Sequence, residues 1–269
     1  MPALKIVPVP VLSDNYSYLI INEASMQAIL VDPAGPAACL AAIPAGVELA
    51  GVLTTHHHED HSGGNAEIKS LFPSLPIFAG AAEDGRVPAA THLVGDGEAF
   101  TLGGIAFTAL HTPCHTRGHI CFYTNADESA PPAVFSGDTL FLGGCGRFFE
   151  GEPAMMHASL AKLAALPSAT RVFCGHEYTV ANLKFGAAVE PSNVTIAARA
   201  TAAADARAQG MPTVGAGTIG DELETNVFMR TRAAAVRAYT HSTLTDAERA
   251  ALDDTVVLGK LRELKNSFK

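Results

Sequence analysis

Short apolar runs divided by turn residues fill the first two thirds of the chain. Alternating or continuous apolar positions predict strands of four to six residues. These strands are predicted at 5–9, 16–21, 27–31, 49–53, 76–79, 99–102, 105–110, 120–123, 133–136 and 171–174. Apolar residues near helical spacing predict one helix after Asn65 and another over about 153–166. A mixture of strands and helices in this order is typical of an α/β domain.

The strand pattern ends near Thr179, and helical spacing replaces it. Helices are predicted at 179–188, 193–209, 231–239 and 244–265, with a glycine-rich loop over 210–220. The sequence therefore predicts an α/β domain over residues 1–178 and a helical domain over residues 179–269.

One polar cluster contrasts with this apolar background. Residues 54–61 read Thr-Thr-His-His-His-Glu-Asp-His and come directly after the predicted strand 49–53. A loop at the end of a strand presents its side chains from a rigid scaffold. Imidazole and carboxylate groups together suit zinc, iron or manganese better than calcium. The cluster therefore indicates a transition-metal site.

Three later polar residues also follow predicted strands. We expect their loops to converge on the first cluster, because strands of one sheet end on a common edge. Seven N and O ligands are too many for one tetrahedral ion but fit two ions that share a carboxylate. Asp138 is the expected bridge, because a carboxylate offers a separate oxygen to each ion. The candidate metal ligands are His56, His58, Asp60, His61, His115, Asp138 and His176.

Other polar residues near these loops are interpreted differently. His57 alternates out of the ligand register on an extended loop. His111 and His119 are expected to hydrogen-bond the loop backbone or to pack beneath it. Asp32 is predicted as a turn former, with contact to a metal ligand as the alternative. The cysteines beside the motifs are expected to be small packing residues rather than thiolate ligands.

Composition narrows the possible classes of function. The chain has 269 residues, 48% hydrophobic and 17% charged, which supports a sizeable core and argues against disorder. A formal net charge of −9 argues against nucleic acid or an anionic membrane as the main partner. No apolar run approaches membrane-spanning length, and residues 1–5 show no export signal. Five cysteines without a Cys-x-x-Cys pair are expected to stay reduced, as in a cytoplasmic protein.

The joint pattern resembles the metallo-β-lactamase superfamily. The shared elements are Thr-His-x-His-x-Asp-His at 55–61, the later lone histidine at 115, Gly-Asp-Thr at 137–139 and Gly-His at 175–176. Longer strings are similar to the glyoxalase II family, the hydroxyacylglutathione hydrolases. They are Thr-Pro-Cys-His-Thr-x-Gly-His from 112, Phe-Ser-Gly-Asp-Thr-Leu-Phe from 135, Gly-Cys-Gly-Arg-Phe-Phe-Glu-Gly from 144 and Cys-Gly-His-Glu-Tyr-Thr from 174. The similarity continues to the final helix and covers essentially the whole chain.

The resemblance implies a metallo-β-lactamase αββα sandwich with a C-terminal helical domain. Residues 1–178 would form the catalytic domain and residues 179–269 the substrate-binding domain. The implied cofactors are two divalent metal ions, zinc before iron or manganese, with a bridging hydroxide. Asp60 and Asp138 are the expected catalytic residues. The family pattern assigns His56, His58 and His115 to one ion, Asp60, His61 and His176 to the other, and Asp138 to both.

The implied activity is hydrolysis of S-D-lactoylglutathione and related 2-hydroxyacyl glutathione thioesters to glutathione and D-lactate or another 2-hydroxy acid. A thioester suits the site, because its thiolate leaves without a strong general acid. The chain is expected to be a cytoplasmic monomer without a nucleic-acid or membrane partner. Phe149 stands where some members of the family have tyrosine, which removes one hydrogen-bond donor to glutathione. The family's substrate contacts fall on Arg147, Tyr178, Arg262 and Lys265.

Other functions of the same superfamily make different demands on the sequence. A persulfide dioxygenase would keep a mononuclear site and often lacks the helical tail, and a β-lactamase would need no such tail. A ribonuclease would favour a basic surface. A non-catalytic metal-binding module is expected to have lost a ligand, and none of the seven is missing. The thioester hydrolase is therefore preferred, with a persulfide dioxygenase or another hydrolase of this fold as the alternative.

Overall fold

Two main sheets carry the candidate site. The computed structural model describes residues 4–125 and 131–268. The prediction that residues 1–5 contain no export signal falls partly on residues 1–3, which lie outside the described residues. The first sheet pairs, in this order, β1 (Leu4–Val11), β2 (Asn15–Asn22), β3 (Gln27–Val31), β4 (Glu48–Thr54), β5 (Ile77–Gly80) and β6 (His92–Val94). The other strands are β7 (Ala99–Leu102), β8 (Ile105–His111), β9 (Ile120–Thr124), β10 (Ala133–Gly137), β11 (Leu140–Phe141), β12 (Gly144–Cys145) and β13 (Arg171–Cys174). The second sheet has the order β13-β10-β9-β8-β7, and β11 and β12 form a small hairpin.

Helices flank the sheets and make up most of the C-terminal third. They are α1 (Pro36–Ala41), α2 (Glu59–Ser62), α3 (Asn65–Leu71), α4 (Pro153–Ala164), α5 (Thr179–Val189), α6 (Val194–Ala208), α7 (Ile219–Thr225), α8 (Ala234–Thr240), α9 (Asp246–Ala250) and α10 (Asp254–Ser267). Short 3₁₀ turns lie at Ala81–Glu83 and Val227–Met229. Within the described residues, no helix has the length and apolar character needed to span a membrane.

Alternate residues of β2 enter two different apolar cores, which explains its continuous apolar sequence. Ile20 belongs to the core between the two sheets, together with Phe122 of the second sheet. Leu19 points to the opposite face and joins a second core with Ile68 of α3. The α/β layers predicted from the sequence, an αββα sandwich followed by helices, are confirmed, and the ten predicted strands are found within two residues of their expected ends.

The ends of the two sheets meet at the candidate site. The amide of Ile120 donates to the Thr55 carbonyl at 2.9 Å, and the amide of Tyr16 donates to the Gly175 carbonyl at 2.8 Å. The expectation that strands of one sheet carry all the candidate ligands is wrong. Residues 56–61 follow β4 of the first sheet, whereas the other three ligands follow β8, β10 and β13 of the second. The loops converge because the two sheets are joined to each other at these ends.

Capping interactions correct two predictions in the C-terminal part, one of a helix and one of a loop. The single helix predicted over 244–265 is two helices, because Thr245 caps α9 in a capping box and Asp253 accepts from the Thr255 amide to start α10. The loop predicted over 210–220 ends earlier, because Thr218 and Asp221 form a capping box that starts α7. The sequence prediction missed these helix starts because it followed the apolar spacing of 244–265 and the glycine content of 210–220 rather than single capping residues.

A buried polar network joins the C-terminal helices to the hairpin of β11 and β12. The Glu222 carboxylate accepts from the Gly143 amide at 2.7 Å and from Arg199 at 2.7 Å. Asn226 donates to the Gly144 carbonyl at 2.9 Å. Glu222 is fully buried, and burial raises its pKa. The network fixes the hairpin against the helical region, which brings both parts of the chain to one cavity.

We expect Gly64→Ala to destabilise the fold. A Cβ at Gly64 would lie 1.9 Å from the Pro33 carbonyl oxygen and 2.9 Å from the Pro36 ring. To relieve this overlap, α3 must move away from the segment that joins β3 to α1. The expected loss in the free energy of unfolding is about 1–3 kcal/mol, measured by urea denaturation with a chelator present so that bound metal does not contribute.

Gly95→Ala is the matched control, because its added Cβ would meet nothing closer than 3.8 Å. This variant should change the free energy of unfolding by no more than about 0.5 kcal/mol. Equal stabilities for the two alanine variants would contradict the close approach at Gly64.

Candidate metal centre

The loop after β4 changes from extended to helical backbone at His58. This residue has φ −58° and ψ 143° and directly precedes α2. The amides of His61 and Ser62 both donate to its carbonyl, which closes the turn. Residues 56 and 58 share one side of the extended segment, whereas the turn directs Asp60 and His61 elsewhere. One short segment thus supplies two groups of side chains.

The first group consists of His56, His58 and His115 and is called the three-histidine group. The Nδ1 atom of His58 lies 3.0 Å from Nε2 of His56 and 3.0 Å from Nε2 of His115. One potential ligand atom from each of the three residues lies within 4.8 Å of the other two. His56 and His115 are buried, and His58 lines a cavity.

The second group consists of Asp60, His61 and His176 and is called the Asp-His-His group. The Oδ2 atom of Asp60 lies 3.4 Å from Nε2 of His176 and 3.8 Å from Nε2 of His61. Asn15 donates to the same Asp60 oxygen at 3.0 Å. The Asp60 side chain is half-buried and faces the same cavity as His58.

Asp138 lies between the two groups. Its Oδ2 atom is 3.4 Å from Nε2 of His115 and 3.4 Å from Nε2 of His176. Its Oδ1 atom is 3.3 Å from Nε2 of His61. The carboxylate therefore contacts a histidine of each group, which is the placement that a bridging ligand requires.

Two positions beside these ligands have no room for a side chain and are occupied by glycine. Gly137 has a positive φ of 45°, and a Cβ there would lie 2.5 Å from Oγ1 of Thr55. A Cβ on Gly175 would lie 2.5 Å from Oδ1 of Asp138 and 2.5 Å from a ring carbon of His61. Gly137 thus leaves room for Thr55 beneath the cluster, and Gly175 leaves room for two candidate ligands.

The donor set fits divalent metal ions. Nε2 of His61 and Oδ1 of Asp138 are buried, and apart from their 3.3 Å approach to each other neither has a hydrogen-bond partner in the described chain. Leaving such atoms unpaired costs about 1–3 kcal/mol each, and a cation coordinated by them would remove that cost. Imidazole nitrogens mixed with carboxylate oxygens suit zinc, iron or manganese. The structure brings all seven predicted ligands together.

Carboxylates make the centre of the cluster attractive to positive charge. Burial opposes ionisation of Asp138, but the neighbouring rings of His61 and His176 hold its pKa well below the usual value. Burial also opposes charge on His61, yet Asp138 and Asp32 raise its pKa well above the usual value. The ionised Asp138 therefore favours positive charge at the junction of the two groups, either on the His61 ring or on a bound cation.

The three-histidine group has the opposite character. Burial and the neighbouring histidines lower the pKa of His56 well below its usual value. Burial and His115 lower the pKa of His58 to about 4, and burial lowers the pKa of His115 as well. These imidazoles are therefore neutral near pH 7, which is the form that coordinates metal.

Asp32 forms a turn, as predicted, with a positive φ of 46°, and it also makes the contact with a candidate ligand that was the alternative. Its Oδ2 atom lies 3.0 Å from Nδ1 of His61 and accepts from Oγ1 of Thr55 at 2.7 Å. Its Oδ1 atom accepts from the Thr55 amide at 2.7 Å. These contacts orient the His61 ring with Nε2 toward the cluster.

Asp14 is a site residue that the sequence did not reveal. Its Oδ1 atom lies 2.8 Å from Nδ1 of His176, although the two residues are 162 positions apart in the chain. The neighbouring Asn15 contacts Asp60, as described above. In the sequence, residues 13–15 have only the character of a turn, and no local signal connects them to a residue so distant.

The remaining histidines near the motifs lie outside both groups. Nε2 of His119 accepts from the Asp138 amide at 3.1 Å. His111 lies with Nε2 2.8 Å from the Arg117 carbonyl. Both contacts are with loop backbone, as predicted. His57 turns away from the cluster and contacts a buried glutamate, Glu83.

All five cysteines are buried and unpaired. Burial raises the pKa of Cys114 and Cys174 to about 12 and that of Cys145 to about 11, so these thiols stay protonated. Among the described residues, none of the convergent ligand groups includes a thiol. The prediction that the cysteines are packing residues is confirmed.

A cavity of about 500 Å³ opens beside the cluster. The ring of Tyr178 stacks on His176 with centroids 4.7 Å apart and an interplanar angle of 5°. Phe149 packs against His115 on another side of the cavity, with centroids 5.1 Å apart. The lining includes five of the candidate ligands and all four predicted substrate contacts: Arg147, Tyr178, Arg262 and Lys265.

The last helix contributes two cations to this cavity. Arg262 is buried and donates from Nη1 to the Cys145 carbonyl at 2.7 Å, while its Nε has no partner among the described residues. Lys265 donates to the Ala181 carbonyl at 3.2 Å. Burial and the positive charge of Arg262 lower the pKa of Lys265 to about 8. Positive charge in this wall suits an anionic ligand.

Comparison with known proteins agrees with this arrangement. Residues 12–176 match the model of the metallo-beta-lactamase superfamily, and residues 177–268 match the model described as hydroxyacylglutathione hydrolase C-terminus. A solved structure of TTHA1623 in a di-iron-bound form is 30% identical, covers 65% of this chain and 91% of that chain, and has a TM-score of 0.51.

Two relatives match over most of the chain. The cytoplasmic hydroxyacylglutathione hydrolase of Arabidopsis thaliana is 49% identical over 230 residues, which are 84% of this chain and 88% of that protein. The hydroxyacylglutathione hydrolase of Xylella fastidiosa (strain M12) is 39% identical over 265 residues, 98% of each chain. This chain therefore belongs to the hydroxyacylglutathione hydrolase family of the metallo-beta-lactamase superfamily.

Proposed function

We propose that this chain hydrolyses glutathione thioesters of 2-hydroxy acids, with S-D-lactoylglutathione as the main substrate and glutathione and D-lactate as products. One observation carries the proposal. A single cavity is lined both by candidate metal ligands and by cations from the C-terminal helical region. The family match over residues 177–268 supports this activity over that of a persulfide dioxygenase.

The proposed centre holds two divalent metal ions. The three-histidine group would hold one, the Asp-His-His group the other, and Asp138 would contact both. Zinc suits the donors best, and iron or manganese is the alternative; the di-iron form of one related structure supports iron. Such ions supply Lewis acidity, which lowers the pKa of water and polarises a carbonyl oxygen.

Asp60 is the proposed catalytic carboxylate of the chain. Burial opposes its charge, but His61 and the hydrogen bond from Asn15 lower its pKa, so it stays ionised. Its partly exposed side chain faces the cavity and is placed to accept a proton from an attacking water. The thiolate of glutathione leaves without a proton donor, because its pKa is modest.

The proposed substrate-binding residues hold the anionic glutathione group. Arg262 and Lys265 lie one helical turn apart on α10 and would attract carboxylates, while Arg147 is exposed at the edge of the cavity. Tyr178 would donate from its hydroxyl while its ring supports His176. Residues 1–178 would thus perform the chemistry and contribute Arg147 and Tyr178 to binding, and residues 179–269 would bind the thiol part of the substrate through Arg262 and Lys265.

Cytoplasmic location and a monomeric state complete the proposal. The Arabidopsis relative is named as cytoplasmic, and five unpaired cysteines are typical of a reducing compartment. Light scattering of the purified chain would measure its oligomeric state directly.

The substrate is tested by comparing S-D-lactoylglutathione with a simple alkyl thioester of the same acid. The cationic wall predicts a higher kcat/KM for the glutathione thioester, because each well-placed charge contact contributes about 1 kcal/mol or about fivefold. Equal kcat/KM values for the two thioesters would contradict a glutathione-binding function.

We expect Asp138→Asn to lower both metal content and turnover. An amide is neutral and a poorer ligand, so the purified variant should hold fewer than the two ions per chain expected for the unmodified protein. Loss of several kcal/mol of transition-state stabilisation predicts a kcat reduced about 100-fold or more. Elemental analysis and a hydrolysis assay measure the two effects.

Asp205→Asn is the control for that variant, because Asp205 is exposed on α6 and distant in sequence from every ligand loop. It should keep both metal content and kcat. One ion per chain in a fully active unmodified protein would refute the dinuclear centre.

We expect KM for S-D-lactoylglutathione to rise with pH because of Lys265. Its depressed pKa of about 8 means that the free side chain is a cation below pH 8 and becomes neutral above it. Neutralisation removes an ion pair of about 1 kcal/mol, so KM should rise about fivefold through this range with little change in kcat. Lys265→Met should have the high KM already at pH 7 and should lose this pH dependence.

Lys260→Met is the matched control on the same helix, since Lys260 is paired with Glu263 and is not part of the cavity lining. It should behave like the unmodified protein. A Lys265→Met variant with unchanged KM over the whole pH range would exclude a binding role for this residue.

A further inference from the structure

Glu83 is a buried carboxylate that belongs to neither ligand group. It ends the 3₁₀ turn that follows β5, and only 1% of its surface is exposed. Burial of a carboxylate is costly unless its oxygens are paired. Both oxygens of Glu83 are paired, and their partners lie on the two loops that carry the three-histidine group.

Each oxygen of Glu83 contacts a neighbour of a candidate ligand. Its Oε2 atom lies 2.7 Å from Nδ1 of His57, which stands between His56 and His58. Its Oε1 atom accepts from Oγ1 of Thr116 at 2.6 Å, directly after His115. One side chain therefore connects the two loops that supply all three members of the group.

His58 depends on this connection more than the other histidines do. Within the described residues, no hydrogen bond is found for the Nε2 atom of His58. The position of His58 is set instead by its backbone, to which Ser62 donates at 3.1 Å, and by the neighbouring His57. The other four histidines among the candidate ligands each have a partner for Nδ1. The partners are Thr55 for His56, Asp32 for His61, the Arg147 carbonyl for His115 and Asp14 for His176.

The turn that carries Glu83 is itself held tightly. A Cβ on Gly118 would lie 2.2 Å from the Glu83 amide nitrogen, so the turn and the His115 loop are in close backbone contact. Arg86 lies 3.3 Å from Glu83 and forms a two-point contact with Glu150, whose carboxylate also accepts from the Arg117 amide at 2.7 Å. Glu83 is therefore a rigid anchor and not a mobile surface group.

We propose that Glu83, acting through His57 and Thr116, is a positioning residue that sets the geometry of the three-histidine group and hence its affinity for metal. The inference rests on the proposed metal centre but not on the proposed substrate. It predicts an effect on one half of the centre only, because no contact of Glu83 reaches Asp60, His61 or His176 in the described chain.

The test measures zinc affinity of each half separately by competition with a chromogenic chelator, using the full chain. His176→Ala isolates the three-histidine group, and His115→Ala isolates the Asp-His-His group. Glu83→Gln is then added to each background. Glutamine keeps the shape of glutamate, but its amide NH₂ group faces one of the two groups that donate to Glu83, on His57 or Thr116. Zinc affinity should fall about 10–100-fold in the His176→Ala background and change by no more than about twofold in the His115→Ala background.

Two further variants make the result decisive. His57→Ala should weaken the three-histidine group as Glu83→Gln does, and His57→Asn, which restores a donor near Nδ1, should recover most of the affinity. The His57 side chain is partly exposed, so these variants decide the question even if Glu83→Gln does not fold. Glu190→Gln, at a buried carboxylate paired with Arg230 away from both loops, is the matched control and should leave both affinities unchanged.

Equal losses in the two backgrounds, or no loss in either, would overturn the positioning role of Glu83. Failure of the unmodified protein to bind zinc, iron or manganese would overturn the metal centre itself, whereas zinc binding without thioester hydrolysis would overturn only the proposed substrate.

Discussion

A buried carboxylate placed among imidazoles is the constraint on which the rest of this structure depends. Asp138 lies within 3.4 Å of nitrogen atoms from both ligand groups, and polar atoms at their junction have no hydrogen-bond partner in the described chain. Buried polar side chains such as Asp138, His56 and His61 are costly unless their charge and hydrogen bonds are compensated. A cation bound by these ligands would supply that compensation. The glycines at 137 and 175 are required because a Cβ would overlap Thr55 at the first position and Asp138 and His61 at the second.

The cluster is held from several directions by residues distant in sequence. Asp32 comes from the end of β3, Asp14 from the first turn, and Glu83 from the turn after β5. Each contacts a candidate ligand or the residue next to one. All three lie on loops of the first sheet, and Asp14 and Glu83 reach His176 and Thr116 on loops of the second. Such contacts between loops of the two sheets help to hold the sheets together at the site.

The C-terminal helices contribute positively charged side chains to the cavity, whereas all seven candidate metal ligands come from residues before 179. Glu222 and Asn226 fix the hairpin of β11 and β12, and Arg262 donates to the carbonyl of Cys145 in that hairpin. These contacts bring Arg262 and Lys265 to the wall of the cavity. The wall of one cavity therefore combines candidate metal ligands from the α/β part with cations from the helical part of the chain.

The sequence determined ten strands, the change from strands to helices near Thr179 and the seven candidate ligands, because apolar periodicity and clustered ligand residues are local signals. It did not reveal the short strands β6, β11 and β12, which have only two or three residues each. The predicted helix over 244–265 is divided because Thr245 and Asp253 each cap the start of a separate helix. Only the tertiary structure decided that both sheets supply the site and that Asp14, Asp32 and Glu83 support it. These contacts join residues far apart in the chain, and no local pattern of polarity encodes which distant segments become neighbours once the core is buried.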